Sequence, residues 1–173
     1  MQKGYLGIDE SNHGRIPEFF VGAFSTIPSH VIKSSSMLSK KLNRAGIEGV
    51  VYKHLKFEAD VIERVGHERL IPIALGEFAR FFQEVAPLEL VIIDGTYRSS
   101  MMDVFGMLLH KVNRSTRLIC EKDGDRWYPL VNEADRVARR FYRDFQQRID
   151  TMRWCESRLL FNMSDYERYL ASL

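Results

Sequence analysis

Cysteine is scarce in this chain: only Cys120 and Cys155 occur among 173 residues. With neither a Cys-x-x-Cys pair nor a Cys/His cluster, a disulfide framework and a structural zinc site are both excluded. A reduced compartment fits. Long apolar runs are also missing. The longest, near Phe19–Phe24 and Leu88–Ile93, fall far short of the roughly 20 residues a helix needs to cross a bilayer. The N-terminus carries no apolar signal region, so the expectation is a cytoplasmic protein without a membrane partner. No Pro/Gly/Ser-rich linker divides the sequence, which reads as one domain over residues 1–173. A large charge imbalance is absent too: the formal net charge is +2, too small to argue for nucleic acid by itself.

What is present is ordinary for a globular protein, 45% apolar and 28% charged residues, but the charge is unevenly placed. Arg136, Arg139, Arg140, Arg143, Arg148, Arg153 and Arg158 make the C-terminal third basic. The acidic counterpart lies at strand ends. Gly7-Ile8-Asp9-Glu10-Ser11-Asn12-His13-Gly14 puts adjacent carboxylates at the end of an apolar strand. Leu90-Val91-Ile92-Ile93-Asp94-Gly95 ends a second strand the same way, and Asp125 and Asp135 flank a helix start.

Strands are predicted over Gly4–Asp9 and Glu18–Thr26, forming a hairpin, and from Val50 to Phe57. Met37–Leu42 reads as a short helix. Apolar residues spaced by three and four predict an amphipathic helix over His67–Val85, closed by Pro87. Leu88–Ile93, apolar apart from Glu89, reads as a central strand covered on both faces. A helix over Ser99–Val112, a strand over Thr116–Glu121, a helix over Leu130–Ile149 and a capped terminal helix around Ser164–Leu170 complete the series. Five strands, three early and two alternating with helices, predict a mixed α/β sheet flanked by helices.

Carboxylates at the C-terminal ends of strands suit hard cations. Mg²⁺ and Mn²⁺ take oxygen ligands, and phosphodiester chemistry commonly uses two such ions about 3.5–4 Å apart. Asp9, Glu10, Asp94, Asp125 and Asp135 are therefore the candidate metal ligands and catalytic residues. Glu10 joins Asp9 only if the strand ends or bends there, because successive side chains point to opposite faces. Either Asp125 or Asp135 completes the set. The arginines beside Asp135 form a basic stripe whose Arg139 and Arg143, with Arg15, are candidates to hold phosphates. His13 is a candidate to position substrate. Read blandly, the same stripe is a solvated helix face with partners such as Asp144. His54 and Lys56 are placed on one face of their strand, Lys53 and Leu55 on the other.

The opening Gly7-Ile8-Asp9-Glu10-Ser11 with Gly14-Arg15 and Phe20-Val21-Gly22-Ala23 resembles the start of ribonuclease HII. Gly124-Asp125-Arg126-Trp127-Tyr128-Pro129-Leu130-Val131, running into Asn132–Arg139, is similar to that family's Asp-x-x-Tyr-Pro-x-Val segment and the helix after it. The resemblance implies a ribonuclease H-like fold, Asp9, Glu10, Asp94 and Asp125 as ligands of Mg²⁺ or Mn²⁺, and nuclease activity on nucleic acid. RNA/DNA hybrid and ribonucleotide-containing DNA are the first substrates to consider, RNA and DNA the wider ones. The family's Gly-Arg-Gly turn is here Asn12-His13-Gly14-Arg15, and a helix Ser is Asp135. The family's C-terminal region with its substrate-reading tyrosine has no clear counterpart here, although Tyr166 and Tyr169 are present. A catalytically inactive nucleic-acid-binding or assembly module, using the Arg-rich helix, is the alternative.

Overall fold

The computed structural model describes residues 2–11, 17–38, 46–147 and 159–161. Strands β1 (Gly4–Ser11) and β2 (Glu18–Ser25) form the expected hairpin, with Tyr5 opposite Ser25 and Ser11 opposite Phe19. β3 (Val50–Phe57) pairs antiparallel with β2, whereas β4 (Leu88–Asp94) runs parallel to β1 and β5 (Arg117–Glu121) parallel to β4. The five predicted strands are thus present as one mixed sheet. A short β6 (Leu159–Phe161), which the sequence did not suggest, adds a sixth strand parallel to β3, giving the order β5-β4-β1-β2-β3-β6. β1 is central, and its residues are buried on both faces because helices cover both.

The helices divide unequally. α1 (Ala59–Val65), α2 (Leu70–Gln83) and α3 (Ser99–Val112) lie on one side, where Leu6, Ile8, Phe20, Phe24 and Phe78 join their apolar faces. α4 (Pro129–Gln147) covers the other, over Tyr5, Val21, Ala23 and Ile92. The predicted helix from His67 begins as a 3-10 turn, His67–Arg69, before α2 proper. Gly66 separates that turn from α1 with φ of +82°, a conformation glycine adopts without strain. The predicted helices around Met37–Leu42 and Ser164–Leu170 lie largely or wholly outside the described residues. None of the described helices is long and apolar enough to cross a membrane.

α4 sits close on β1 because Gly7 has no side chain. A Cβ there would lie 2.8 Å from the carbonyl carbon and oxygen of Leu130. The helix starts on Pro129, whose missing N–H costs nothing in a first turn. The side chain of Asn132 donates to the Asp125 carbonyl at 2.8 Å, binding the preceding 3-10 turn (Gly124–Arg126) to the helix. The loop ahead of α4 is thereby fixed against the ends of β4 and β5.

Candidate active site

Alternation along β1 decides where each carboxylate goes. Tyr5 belongs to the α4 side, so Asp9 points there too, at the end of a buried strand and only 5% exposed. Its Oδ1 accepts the Glu10 backbone N–H at 2.7 Å. Burial pushes the Asp9 carboxyl well above the ordinary carboxylate range, and the charges of Asp94, Asp135 and Asp125 push it further.

Asp94 ends β4, the neighbouring parallel strand, and its Oδ1 accepts the Gly124 backbone N–H. The Gly95 N–H, donated to the Glu121 carbonyl at 2.9 Å, holds that strand end to β5. Burial raises Asp94; the Gly124 N–H opposes this, and Asp125 and Asp123 reinforce it. Asp135 lies one turn inside α4, 5% exposed, and burial raises it to about 6 against the pull of Arg139. Arg139 Nε donates to its Oδ1 at 2.7 Å, while Oδ2 is buried with no hydrogen-bond partner among the described residues. Asp125, on the 3-10 turn, adds its charge to all three.

Four aspartates from two strands, a turn and a helix therefore form one electrostatic cluster. Both Asp125 and Asp135 belong to it, because the Asn132–Asp125 bond folds the turn back on α4. Among the described residues, no three His, Cys, Asp or Glu side chains are grouped tightly enough to make a ready metal cage. The donor set still fits a hard divalent cation: all oxygen, more negative charge than Arg139 balances, and one orphaned buried oxygen on Asp135.

Glu10 is placed differently from expectation. β1 runs on through Ser11 instead of ending at Asp9, so Glu10 turns to the α2–α3 side. There its charge and a hydrogen bond act on Glu18, which burial already holds far above the carboxylate range. His67 Nδ1 lies 2.6 Å from Glu18 Oε2. Tyr97 donates its hydroxyl to the Asp94 carbonyl at 2.8 Å and is raised by burial, then by the charge of Glu10. These residues border a cleft of about 750 Å³ that also takes in Glu68, Arg69, Arg98 and Met101. The sequence reading missed this cleft. The available signal was Glu18, a lone charge opening an apolar strand.

The basic stripe is mostly committed elsewhere. Arg136 is bound to Glu133, which also accepts the Tyr52 hydroxyl. Arg139 is bound to Asp135, and Arg140 lies 4.0 Å from Asp144. Arg143 is exposed on the same helix. His54 packs its ring on Phe141, with centroids 4.3 Å apart, on the same side of β3 as Lys56. His13 and Arg15 lie outside the described residues.

Arg139 has a testable electrostatic role. The folded pKa of Asp135 exceeds its ordinary 3.8, so its contribution to stability is present below pH 3.8 and lost as pH rises through about 6. Arg139→Ala removes the charge that restrains this rise. Stability of the metal-free variant should then fall over a window extending to higher pH than in the wild type. The pH at which half-maximal Mn²⁺ affinity is reached should move up as well, since carboxylates bind metal only when ionised. Denaturant melts and calorimetric Mn²⁺ titrations between pH 4 and 8 would show both shifts, and unchanged profiles would deny Arg139 this role.

No protein-family model matches the chain, and no curated protein matches it. Among solved structures it is similar to ribonuclease HII from Archaeoglobus fulgidus, solved in complex with PCNA. That likeness has a TM-score of 0.58 at 17% identity, over 97% of this chain and 87% of that one. Ribonuclease H2 from Pyrococcus horikoshii gives a TM-score of 0.58 at 16% identity, over 98% and 86%. At such identities the likeness establishes the fold: a ribonuclease H-like mixed sheet flanked by helices.

Proposed function

We propose that this ribonuclease H-like chain is a divalent-metal-dependent nuclease, with Asp9, Asp94, Asp125 and Asp135 holding Mg²⁺ or Mn²⁺. The observation that carries the reading is the mutual charge pressure among these aspartates at the ends of β1 and β4. Bound among them, the cations would supply water activation and stabilisation of the charge that develops on the departing oxygen. The protein's part is preorganisation. The Glu10 backbone N–H fixes one oxygen of Asp9, and the backbone N–H groups of Gly124 and Asp125 hold the Asp94 carboxyl. Arg139 fixes one oxygen of Asp135 and leaves Oδ2 open.

The substrate is a nucleic acid, with RNA/DNA hybrid or ribonucleotide-containing DNA first, in keeping with the solved ribonucleases that share the fold. A purely nucleic-acid-binding module working through α4 has less support, since Arg136, Arg139 and Arg140 are already ion-paired. Calorimetric titration with Mn²⁺ and Mg²⁺ tests the site directly. Wild-type protein is expected to bind and to gain about 2.7 kcal/mol of stability at a hundredfold excess over Kd. Asp94→Asn should lose most of that gain. A folded wild type with neither binding nor stabilisation would refute the metal site.

A further inference from the structure

Asp94 stands where the hydrogen bonding of the sheet gives out. The parallel ladder between β1 and β4 ends at the pair Ile8–Ile93, and beyond it the Glu10 N–H is turned onto Asp9 Oδ1 at 2.7 Å. On its other side Asp94 is still paired with Glu121 of β5. Its carbonyl, a group that needs a donor wherever water is excluded, is met by a side chain: Tyr97 Oη donates to it at 2.8 Å. Tyr97 can fold back over three residues because Gly95 leaves the space open. Gly95 has φ of +112°, and a Cβ there would lie 3.0 Å from Tyr97 Oη and 3.2 Å from Cζ. The far side of the ring rests edge-on against Phe105 of α3, with centroids 5.1 Å apart. The phenol is thus fixed at both ends, its ring on α3 and its hydroxyl on Asp94.

Asp94 is therefore gripped from two directions. The loop ahead of α4 holds its carboxyl through the Gly124 and Asp125 N–H groups, and Tyr97, packed with the α2–α3 core, holds its carbonyl. Resting on the reading of Asp94 as a metal ligand, we propose that Tyr97 is a positioning residue for the metal site. Its hydroxyl supplies the hydrogen bond that the sheet does not give Asp94, and so sets the direction in which the carboxylate leaves β4. Rotation of the peptide after Asp94 would carry the side chain with it, and metal ligands tolerate displacements of only about 0.5 Å. Tyr97 itself touches neither cation nor substrate in this role. It acts as the outer partners of metal ligands do, by fixing the orientation of a group that binds.

Tyr97→Phe keeps the ring on Phe105 and removes only the donor. In metal-free, ¹⁵N-labelled full-length protein the Gly124 amide reports where Asp94 Oδ1 lies, because it donates to that oxygen. In the variant its resonance is expected to move and its exchange with solvent to quicken about tenfold. Mn²⁺ affinity, measured by calorimetric titration, should fall about tenfold or more, the usual loss when a partner of a metal ligand is removed. Tyr128→Phe is the control, since it loses a comparable hydrogen bond, to Glu121 Oε2 at 2.8 Å, without touching Asp94. It should melt no higher than Tyr97→Phe while keeping the wild-type Gly124 amide and the wild-type Mn²⁺ affinity. An unchanged Gly124 amide in Tyr97→Phe, equal Mn²⁺ affinities for Tyr97→Phe and wild type, or an equal loss of affinity in Tyr128→Phe would each overturn the positioning role. A wild type that binds no Mn²⁺, with a Gly124 amide that still responds to Tyr97→Phe, would refute the metal reading and leave the hold of Tyr97 on Asp94 standing.

Discussion

Asp9→Asn is expected to make the metal-free protein more stable while removing its nuclease activity. Asp9 is buried with three other aspartates acting on it, so its ionised form is held against both desolvation and repulsion. The sign follows from linkage. A folded pKa above the ordinary 3.8 means a contribution present below that pH and lost as pH rises through the folded value. Asparagine cannot ionise, and its side-chain oxygen can still accept the Glu10 N–H. The variant should therefore melt a few degrees higher than the wild type near neutral pH, with the difference shrinking toward pH 4. Cleavage should fall on the order of 10³-fold, equivalent to about 4 kcal/mol of lost transition-state stabilisation. Opposite changes in stability and activity are the mark of a residue kept for function at a cost to the fold. A variant that melts lower than wild type across the whole pH range would instead make Asp9 a structural group.

Gly7→Ala has the largest expected effect on folding. Its added methyl would meet the Leu130 carbonyl at 2.8 Å and the Val131 nitrogen at 2.9 Å. Backbone at the start of a helix cannot turn aside as a side chain can, so α4 has to move off β1 or β1 has to bend. The loss should be roughly 3 kcal/mol or more. Whatever folds should also cleave poorly, because Asp125 and Asp135 travel with α4 while Asp9 stays with β1. Gly106→Ala in α3 is the control. Beyond its own stretch of helix, nothing lies within 4 Å of where that methyl would stand, and the better helix propensity of alanine should give a gain of about 0.5–1 kcal/mol. Urea melts of the three proteins would compare the two sites. Equal stabilities for wild type and Gly7→Ala would mean that α4 does not sit as closely as described.

Much of this arrangement was legible in the sequence because single strong signals coincide with single elements. Leu88–Ile93, apolar apart from Glu89, is the buried strand β4, and the helix expected over Ser99–Val112 has those bounds in the structure. Elements too short for periodicity to register escaped: seven-residue α1, three-residue β6 and the 3-10 start of α2. The side taken by Glu10 depended on one residue of strand length, and β1 extends to Ser11. Asp125 and Asp135 could not be separated in sequence because a single side-chain bond, Asn132 to the Asp125 carbonyl, brings them to one place. Arg69 and Arg98 are unremarkable until α2 and α3 pack together. The pairing of the α4 arginines was readable, since Glu133, Asp135 and Asp144 stand three or four residues from Arg136, Arg139 and Arg140.

The most direct measurement is cleavage of end-labelled RNA/DNA hybrid, duplex DNA with one embedded ribonucleotide, single-stranded RNA and single-stranded DNA. Each is incubated with Mg²⁺, Mn²⁺ or chelator, and Asp94→Asn serves as the paired control. The expected result is cutting of at least one ribonucleotide-containing substrate that requires metal and vanishes in Asp94→Asn. Folded wild-type protein that leaves every substrate intact, or cutting that survives in chelator or in Asp94→Asn, would contradict a metal-dependent nuclease built on these aspartates.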